Sequence, residues 1–308
     1  MNSVYIEITN VCNLHCSFCP WGKQGGFLPR NFMTEKLFER CISEAATVAE
    51  QVYFHVLGEP TLHSHFELFL KKMEQVSCAE NGGNKLQLNL TTNGTTIDRC
   101  GKALLASPAV RQVNFSTHAY AELPFEEAAV HLKNVLDFCK VAATERPDMY
   151  INLRLWNAGD ESSKGWNNYM LEQVNFFAQD TAGKNGKAHE PITLEHFCSR
   201  HKSFLVDGRI YIPQDSRFEW PPANAAPAEK IIKGNCRALD THCAILCDGR
   251  VVACCLDYSG QITLGHIQQN SLAEILNSPA ALNIGEGFAR QELRHPFCQS
   301  CTFCKRFK

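Results

Sequence analysis

The sequence has no large excess of either charge and no basic block: 30 Lys and Arg stand against 32 Asp and Glu, a net charge of −2. Binding to nucleic acid driven by phosphate neutralisation is therefore not expected. No apolar run approaches the ~18 residues needed to span a bilayer. A strand-like segment already begins at Val4, which leaves no room for a signal peptide. Export and membrane insertion are thus unexpected, and a reducing, cytoplasmic location is the expectation. No low-complexity tract occurs, and the 12 histidines show no paired metal-ligand spacing; His63 and His65 read as loop residues. What the chain does hold is cysteine, 16 among 308 residues. In a reducing compartment, so many thiols point to metal or redox chemistry and away from a disulfide framework.

Three of the cysteines, Cys12, Cys16 and Cys19, fall within eight residues, straight after the strand-like run Val4–Thr9. Cysteine thiolate is the usual ligand of a [4Fe–4S] cube. Three thiols on one loop hold three irons and leave the fourth open. A structural zinc knot would need four closed ligands; no fourth cysteine lies nearby, and His15 faces differently from the thiols on so tight a loop.

Strand and helix signals then alternate to about residue 200. Thr34 reads as the N-cap of a helix with Leu37, Cys41, Ala45 and Val48 at helical spacing. Gln51–Leu57 reads as a strand ending at Gly58-Glu59-Pro60. Phe66, Phe69, Leu70, Met73 and Val76 mark the next helix. Lys85–Thr91, Gln112–Thr117 and Met149–Leu155 are further strands, each followed by a helical stripe, and Ile192–Phe197 is a sixth strand. Such repetition implies parallel strands with helical crossovers. Four strands alternate polar and apolar residues. Tyr5, Glu7 and Thr9 share a face, as do Gln87, Asn89 and Thr91, then Asn114, Ser116 and His118, then Tyr150, Asn152 and Arg154. A sheet covered on both faces would be apolar throughout, and a complete eight-stranded barrel fills its interior with branched apolar layers. The pattern fits a curved, open sheet whose concave face lines a wet cavity, with Glu7, His55, His118 and Arg154 pointing into it. Cys41, Cys78, Cys100 and Cys139 lie on or beside helix stripes and read as core.

Beyond Ser203 the pattern changes. Phe204–Ile212 reads as a hairpin turning at Asp207-Gly208, and Ala244–Ala253 as another turning at Asp248-Gly249. Pro213–Asn235 reads as a connector, and Ser271 caps a short helix. Cys236, Cys254, Cys298 and Cys301 suit an iron cluster or a zinc ribbon equally by spacing. If Asp248-Gly249 is a two-residue turn, Cys243 sits across from Cys254. Cys304 is an alternative to Cys301, and Cys255 points away from Cys254.

Cys12-x3-Cys16-x-Phe18-Cys19 after a first strand resembles the signature loop of radical S-adenosylmethionine (radical SAM) enzymes. The resemblance implies a [4Fe–4S] cluster whose open iron is chelated by SAM, with Phe18 near the adenine. Gly58 and Glu59 match the motif that binds the SAM amino group, although Leu57 replaces the first glycine of that motif. Asn93 and Ser116 stand where the family places further SAM contacts. The C-terminal cysteines, with Gly249, resemble the SPASM/twitch extension. That implies one auxiliary [4Fe–4S] cluster on Cys236, Cys254, Cys298 and Cys301, with Asp257 a candidate acid or base.

The expected fold is α/β: a partial (β/α)6 TIM-like barrel over residues 1–212, a connector over 213–235, and a small α+β twitch/SPASM-type domain with a β-hairpin over 236–308. The resemblance implies reductive cleavage of SAM to a 5′-deoxyadenosyl radical and abstraction of a substrate hydrogen. An auxiliary cluster that accepts an electron implies oxidation, as dehydrogenation or cross-linking, of a peptide or small molecule. Peptide epimerisation is the alternative reaction; a non-catalytic, zinc-stabilised binding module is the alternative of another class. The implied partners are a low-potential donor of the flavodoxin or ferredoxin type and, for a peptide substrate, a separate leader-peptide-binding protein.

Overall fold

The alternation of strands and helices expected from the sequence is present in the computed structural model, which describes residues 1–23, 29–77, 86–185, 190–198, 203–213, 215–221 and 231–306. The chain forms two compact units, Met1–Leu88 with Phe218–Lys308, and Asn89–Arg217.

The first unit opens with β1 (Ser3–Ile6), the single-turn helix α1 (Pro20–Lys23), α2 (Glu35–Val48), β2 (Gln51–Phe54) and α3 (Phe66–Ser77). The Thr34 hydroxyl accepts the Leu37 N–H at 3.3 Å and so caps α2. The helix buries Leu37, Phe38, Cys41, Ile42 and Ala45. Phe38 stacks on Phe69 of α3 with ring centroids 3.9 Å apart and meets Phe54 of β2 edge-on. β1 and β2 run parallel with Val4 opposite Val52.

β3 (Gln87–Thr92) begins in the first unit and ends in the second. The second unit continues with α4 (Ile97–Ala106), β4 (Val110–Phe115), α5 (Phe125–Glu145), β5 (Tyr150–Leu153), α6 (Lys164–Asn185), β6 (Ser203–Asp207) and β7 (Ile210–Pro213). β4 and β5 are parallel with Asn114 opposite Asn152. The apolar side chains of these strands, Val113, Phe115, Ile151 and Leu153, are buried. Much of the polar face satisfies itself: Gln112 Nε2 and Asn152 Nδ2 each donate to Asn114 Oδ1 at 2.8 Å, and Arg111 donates to Asn89 Oδ1 at 3.3 Å. These residues form a hydrogen-bonded ladder, so they are not bare cavity wall.

The sixth parallel strand is not Ile192–Phe197. Leu194–Cys198 is a 3-10 helix, and β7 pairs parallel with β5, Ile151 opposite Ile210. The amide of Asn175 on α6 explains the difference. Its Nδ2 donates to Ile192 O and its Oδ1 accepts the Ile192 N–H, both at 2.9 Å, which satisfies the backbone groups a strand neighbour would otherwise take. β6 and β7 form the expected hairpin, but Asp207 pairs with Ile210 and the loop is Gly208-Arg209. The positive φ falls on the first loop residue, Gly208, as in a II′ turn.

The chain then returns to the first unit with β8 (His242–Ile245), β9 (Arg250–Val252), β10 (Thr263–His266), α7 (Leu272–Leu276), α8 (Pro279–Ala289) and α9 (Pro296–Gln299). β8 pairs parallel with β1, Val4 opposite Cys243, giving the order β10-β9-β8-β1-β2. The strand that leads into the cysteine loop is thus paired on both sides, by β8 and β2. Ser271 and Glu274 close a capping box on α7. Cys41, Cys100 and Cys139 are buried as expected, and Cys78 lies outside the described residues. Among the described residues, no strand pairing closes the sheet and no helix is long and apolar enough to cross a membrane.

Candidate functional site

The loop after β1 is held by its own polar residues. Thr9 Oγ1 donates to Asn31 O at 2.9 Å, Asn10 Nδ2 donates to Pro29 O at 2.9 Å, and Asn10 Oδ1 accepts the Asn31 N–H at 2.8 Å. The Leu14 N–H lies 3.4 Å from Cys12 Sγ, and Cys19 N donates to Cys16 O at 3.0 Å. Cys12, Cys16, Cys19 and Phe18 are half-buried, while His15 is exposed. Trp21, two residues past Cys19, is buried, and its indole N–H has no acceptor among the described residues. Three thiols and a buried spare donor suit an iron–sulfur cluster, whose sulfurs accept hydrogen bonds.

The Gly58-Glu59 turn packs on this loop. Gly58 has φ +77°, and a Cβ there would come within 2.3 Å of Thr9 O. Only glycine tolerates both conditions. Glu59 N donates to Val11 O at 2.8 Å, one residue before Cys12. The Glu59 carboxylate is buried and accepts Thr61 N at 3.2 Å and Thr61 Oγ1 at 2.7 Å, which fixes its direction at the head of the following 3-10 turn. The single glycine that replaces the expected pair is therefore the one that touches the cysteine loop.

Asn93 and Ser116 belong to the second unit, at the ends of β3 and β4. Asn93 Oδ1 accepts Thr95 N at 3.0 Å, and Ser116 N donates to Thr92 O at 2.9 Å. His118, beyond β4, stacks on Trp156, beyond β5, and the Arg154 guanidinium lies 4.7 Å from the centroid of the same Trp156 ring. His118 hydrogen-bonds Arg154 O through Nδ1 at 3.1 Å, and burial lowers its pKa to about 3, so it is neutral.

The C-terminal cysteines converge in the first unit. Burial raises the pKa of Cys254 well above the usual thiol range, and the neighbouring thiols of Cys255, Cys236 and Cys298 raise it further. Cys298 is raised by burial and then by Cys236, Cys301, Asp257 and Cys304. Cys301 is pushed to about 11, chiefly by burial, with Cys304 and Cys236 nearby. Neutral thiols crowd here beside Asp257, so a cationic metal centre is what would let them ionise together. Among the described residues, no three His, Cys, Asp or Glu side chains close around a single ion.

Cys243 is not part of this group. Ala244 pairs with Val252, and one further step of that register puts Ala253 opposite Cys243. The Asp248 side chain accepts the Arg250 N–H at 3.0 Å and Leu246 N donates to Arg250 O, so the turn holds three residues, with Gly249 at φ +95°. Adding one residue to the loop shifts the register and every facing pair. Asp257 is fully buried; its carboxylate accepts Gln261 N at 2.8 Å and Ile262 N at 2.6 Å. It anchors its own turn.

Two relationships could not be read from the sequence. Tyr5, on β1, stacks on Tyr53 at 4.7 Å and hydrogen-bonds the Cys255 thiol. Cys19 and Cys255 pack against one apolar cluster that includes Leu57, Leu246 and Tyr258. The other is the burial of Glu7 between Leu57 and Cys247. The alternation on β1 marked Tyr5 and Glu7 as sharing a face, but nothing local announced β8 as their neighbour.

Residues 6–147 match the Radical SAM superfamily model, and residues 236–305 match that of the SPASM iron–sulfur cluster-binding domain. The tungsten-containing aldehyde ferredoxin oxidoreductase cofactor-modifying protein of Pyrococcus furiosus is 30% identical over 141 residues, 44% of this chain and 35% of that protein. The chain thus spans about a third of the length of this curated relative. The crystal structure of BtrN in complex with AdoMet and 2-DOIA aligns with TM-score 0.53 at 12% identity, over 98% of this chain and 94% of that one. Native anSMEcpe with bound AdoMet and Kp18Cys peptide aligns with TM-score 0.54 at 17% identity, over 98% and 89%. The fold is the α/β, open TIM-like partial barrel of these radical SAM proteins. The Radical SAM domain brings a [4Fe–4S] cluster and SAM as cofactors, and the SPASM domain implies auxiliary iron–sulfur binding. The chain thus carries a radical SAM domain over residues 6–147 and a SPASM-type iron–sulfur cluster-binding domain over residues 236–305.

Proposed function

We propose that the chain is a radical SAM oxidoreductase that removes hydrogen from a peptide or small molecule, by dehydrogenation or by forming a cross-link. The observation that carries this reading is the packing of Gly58 on Thr9 and the bond from Glu59 N to Val11 O, which bring the amino-binding turn to the three-thiol loop. When bound, the reduced cluster and SAM supply a 5′-deoxyadenosyl radical that takes a hydrogen atom from substrate. Cys12, Cys16 and Cys19 hold the cluster, Phe18 flanks the adenine, and Gly58 and Glu59 hold the amino group. Asn93 and Ser116 supply further SAM contacts.

Cys236, Cys254, Cys298 and Cys301 hold one auxiliary cluster, with Cys304 the alternative fourth ligand. Their mutual proximity supports an oxidative outcome, because it gives an electron released by the substrate somewhere to go. The cluster and SAM site is assigned to residues 1–212, the connector to 213–235 and the auxiliary domain to 236–308. The proposed setting is the cytoplasm, with a flavodoxin- or ferredoxin-type reductant. The 2-DOIA bound to BtrN and the peptide bound to anSMEcpe support the small-molecule and peptide alternatives respectively. A leader-binding protein would accompany the peptide case. Asp257 stays in the proposal as the acid–base candidate, set against its role as a turn anchor.

Mass spectrometry of a substrate after turnover in deuterated water tests the reaction class. Loss of two hydrogens supports oxidation. Gain of one solvent deuterium without such loss supports the alternative, epimerisation. Zinc in the purified protein, with no SAM cleavage, supports a binding module instead.

A further inference from the structure

Among the described residues, three acidic side chains are almost fully buried: Glu7, Glu59 and Asp257. Glu59 and Asp257 bind the backbone of their own turns. Glu7 does something different. It is the first residue past β1, and its own N–H donates to Ile245 O at 2.9 Å. One carboxylate oxygen accepts Leu57 N at 3.1 Å, and the other accepts Cys247 N at 3.2 Å. The Cys247 thiol also hydrogen-bonds the carboxyl.

The two backbone donors come from opposite sides of β1. Leu57 follows β2 and directly precedes Gly58-Glu59. Cys247 follows β8 and stands in the hairpin loop that leads to Cys254. β1 lies between β2 and β8, so the residue just beyond its end is the one that can reach both neighbours. Every named partner of the carboxyl is a donor, which suits an acceptor with two oxygens and no hydroxyl to place. An apolar residue of the same size would leave both N–H groups unpaired.

We propose that Glu7 is a positioning residue that ties the SAM-binding turn to the hairpin of the SPASM-type domain. The inference rests on the assignment of Gly58 and Glu59 to SAM. Through Leu57 N, Glu7 sets the path of the backbone entering Gly58, and through Cys247 it makes that path depend on the hairpin. Loosening either end of the clamp therefore weakens SAM binding without removing a SAM contact.

The test uses the full chain, reconstituted anaerobically with iron and sulfide. SAM affinity is read by titrating the change SAM produces in the EPR spectrum of the reduced cluster, beside iron content and Tm. Glu7→Gln keeps the shape, but its amide NH2 faces one of the two N–H donors. It is expected to keep its iron and to weaken SAM binding about tenfold, the loss of ~1.4 kcal/mol. Cys247→Ala removes only the thiol and is expected to produce a smaller weakening. The double variant is expected to fall short of the sum, because both changes act on one carboxylate. A lowered Tm with unchanged SAM affinity in Glu7→Gln overturns the clamp, as do strictly additive effects. Should Glu7→Gln lose its iron, Cys247→Ala decides alone: unchanged affinity overturns the proposal. A wild-type chain that loads a cluster but binds no SAM overturns the site assignment and the clamp with it.

Discussion

Cys236 and Cys298, far apart in the sequence, sit close enough that a charge on Cys236 raises the pKa of Cys298. Cys254 feels both. Ionising such crowded, buried thiols is unfavourable unless a metal centre compensates their charge. Replacing Cys12, Cys16 and Cys19 together with Ala is therefore expected to leave about four irons per chain, one cube's worth. Iron and sulfide analysis checks this; no residual iron would remove the auxiliary cluster from the account.

Gly58→Ala is expected to be among the most damaging small changes in the first unit. The new Cβ would meet Thr9 O at 2.3 Å at a φ of +77°. A residue with a side chain in such a region costs ~1–3 kcal/mol before the clash is counted. The turn must shift away from the cysteine loop, so SAM affinity and Tm should both fall. Thermal unfolding and SAM titration measure the two.

Asp257→Asn separates a turn anchor from a proton carrier. The amide accepts from only one of Gln261 N and Ile262 N, leaving the other N–H unpaired at a cost of ~1–3 kcal/mol. The expected result is a lower Tm with substrate turnover retained. Turnover abolished at unchanged Tm would assign Asp257 to the chemistry.

His118 makes a pH prediction. Its folded pKa is lowered to about 3 by burial, from an ordinary value of 6.5. Between those values the unfolded chain binds a proton that the folded chain does not. Stability from this residue is therefore complete above 6.5 and falls as the pH drops towards 3, by at most ~1.4 kcal/mol per pH unit. His118→Phe keeps a ring against Trp156 and removes the titration. Its denaturation midpoint should depend less steeply on pH than that of the wild type.

What was legible in the sequence was local. The three-thiol loop, the Thr34 cap, the Ser271 start of α7 and the alternation on β4 and β5 each depend on neighbours a few residues away. What was not legible depended on distant partners. The Asn175 amide satisfies Ile192 and removes the need for a strand there. The Asp248 carboxylate captures Arg250 N and lengthens the second turn, which moves Cys243 away from Cys254. The pairing of β8 with β1 follows a long excursion of the chain and has no local signal, yet it brings Cys247 to Glu7 and Cys255 to Tyr5. The candidate ligands could be named from spacing, but the side chains that join the two cysteine groups became visible only in the fold.

The most direct measurement is SAM cleavage by the anaerobically reconstituted chain under dithionite, with 5′-deoxyadenosine and methionine quantified together. The account predicts equal amounts of the two from wild type and none from the Cys12, Cys16 and Cys19 triple-Ala variant. A wild-type chain carrying its full iron that forms neither product would contradict it.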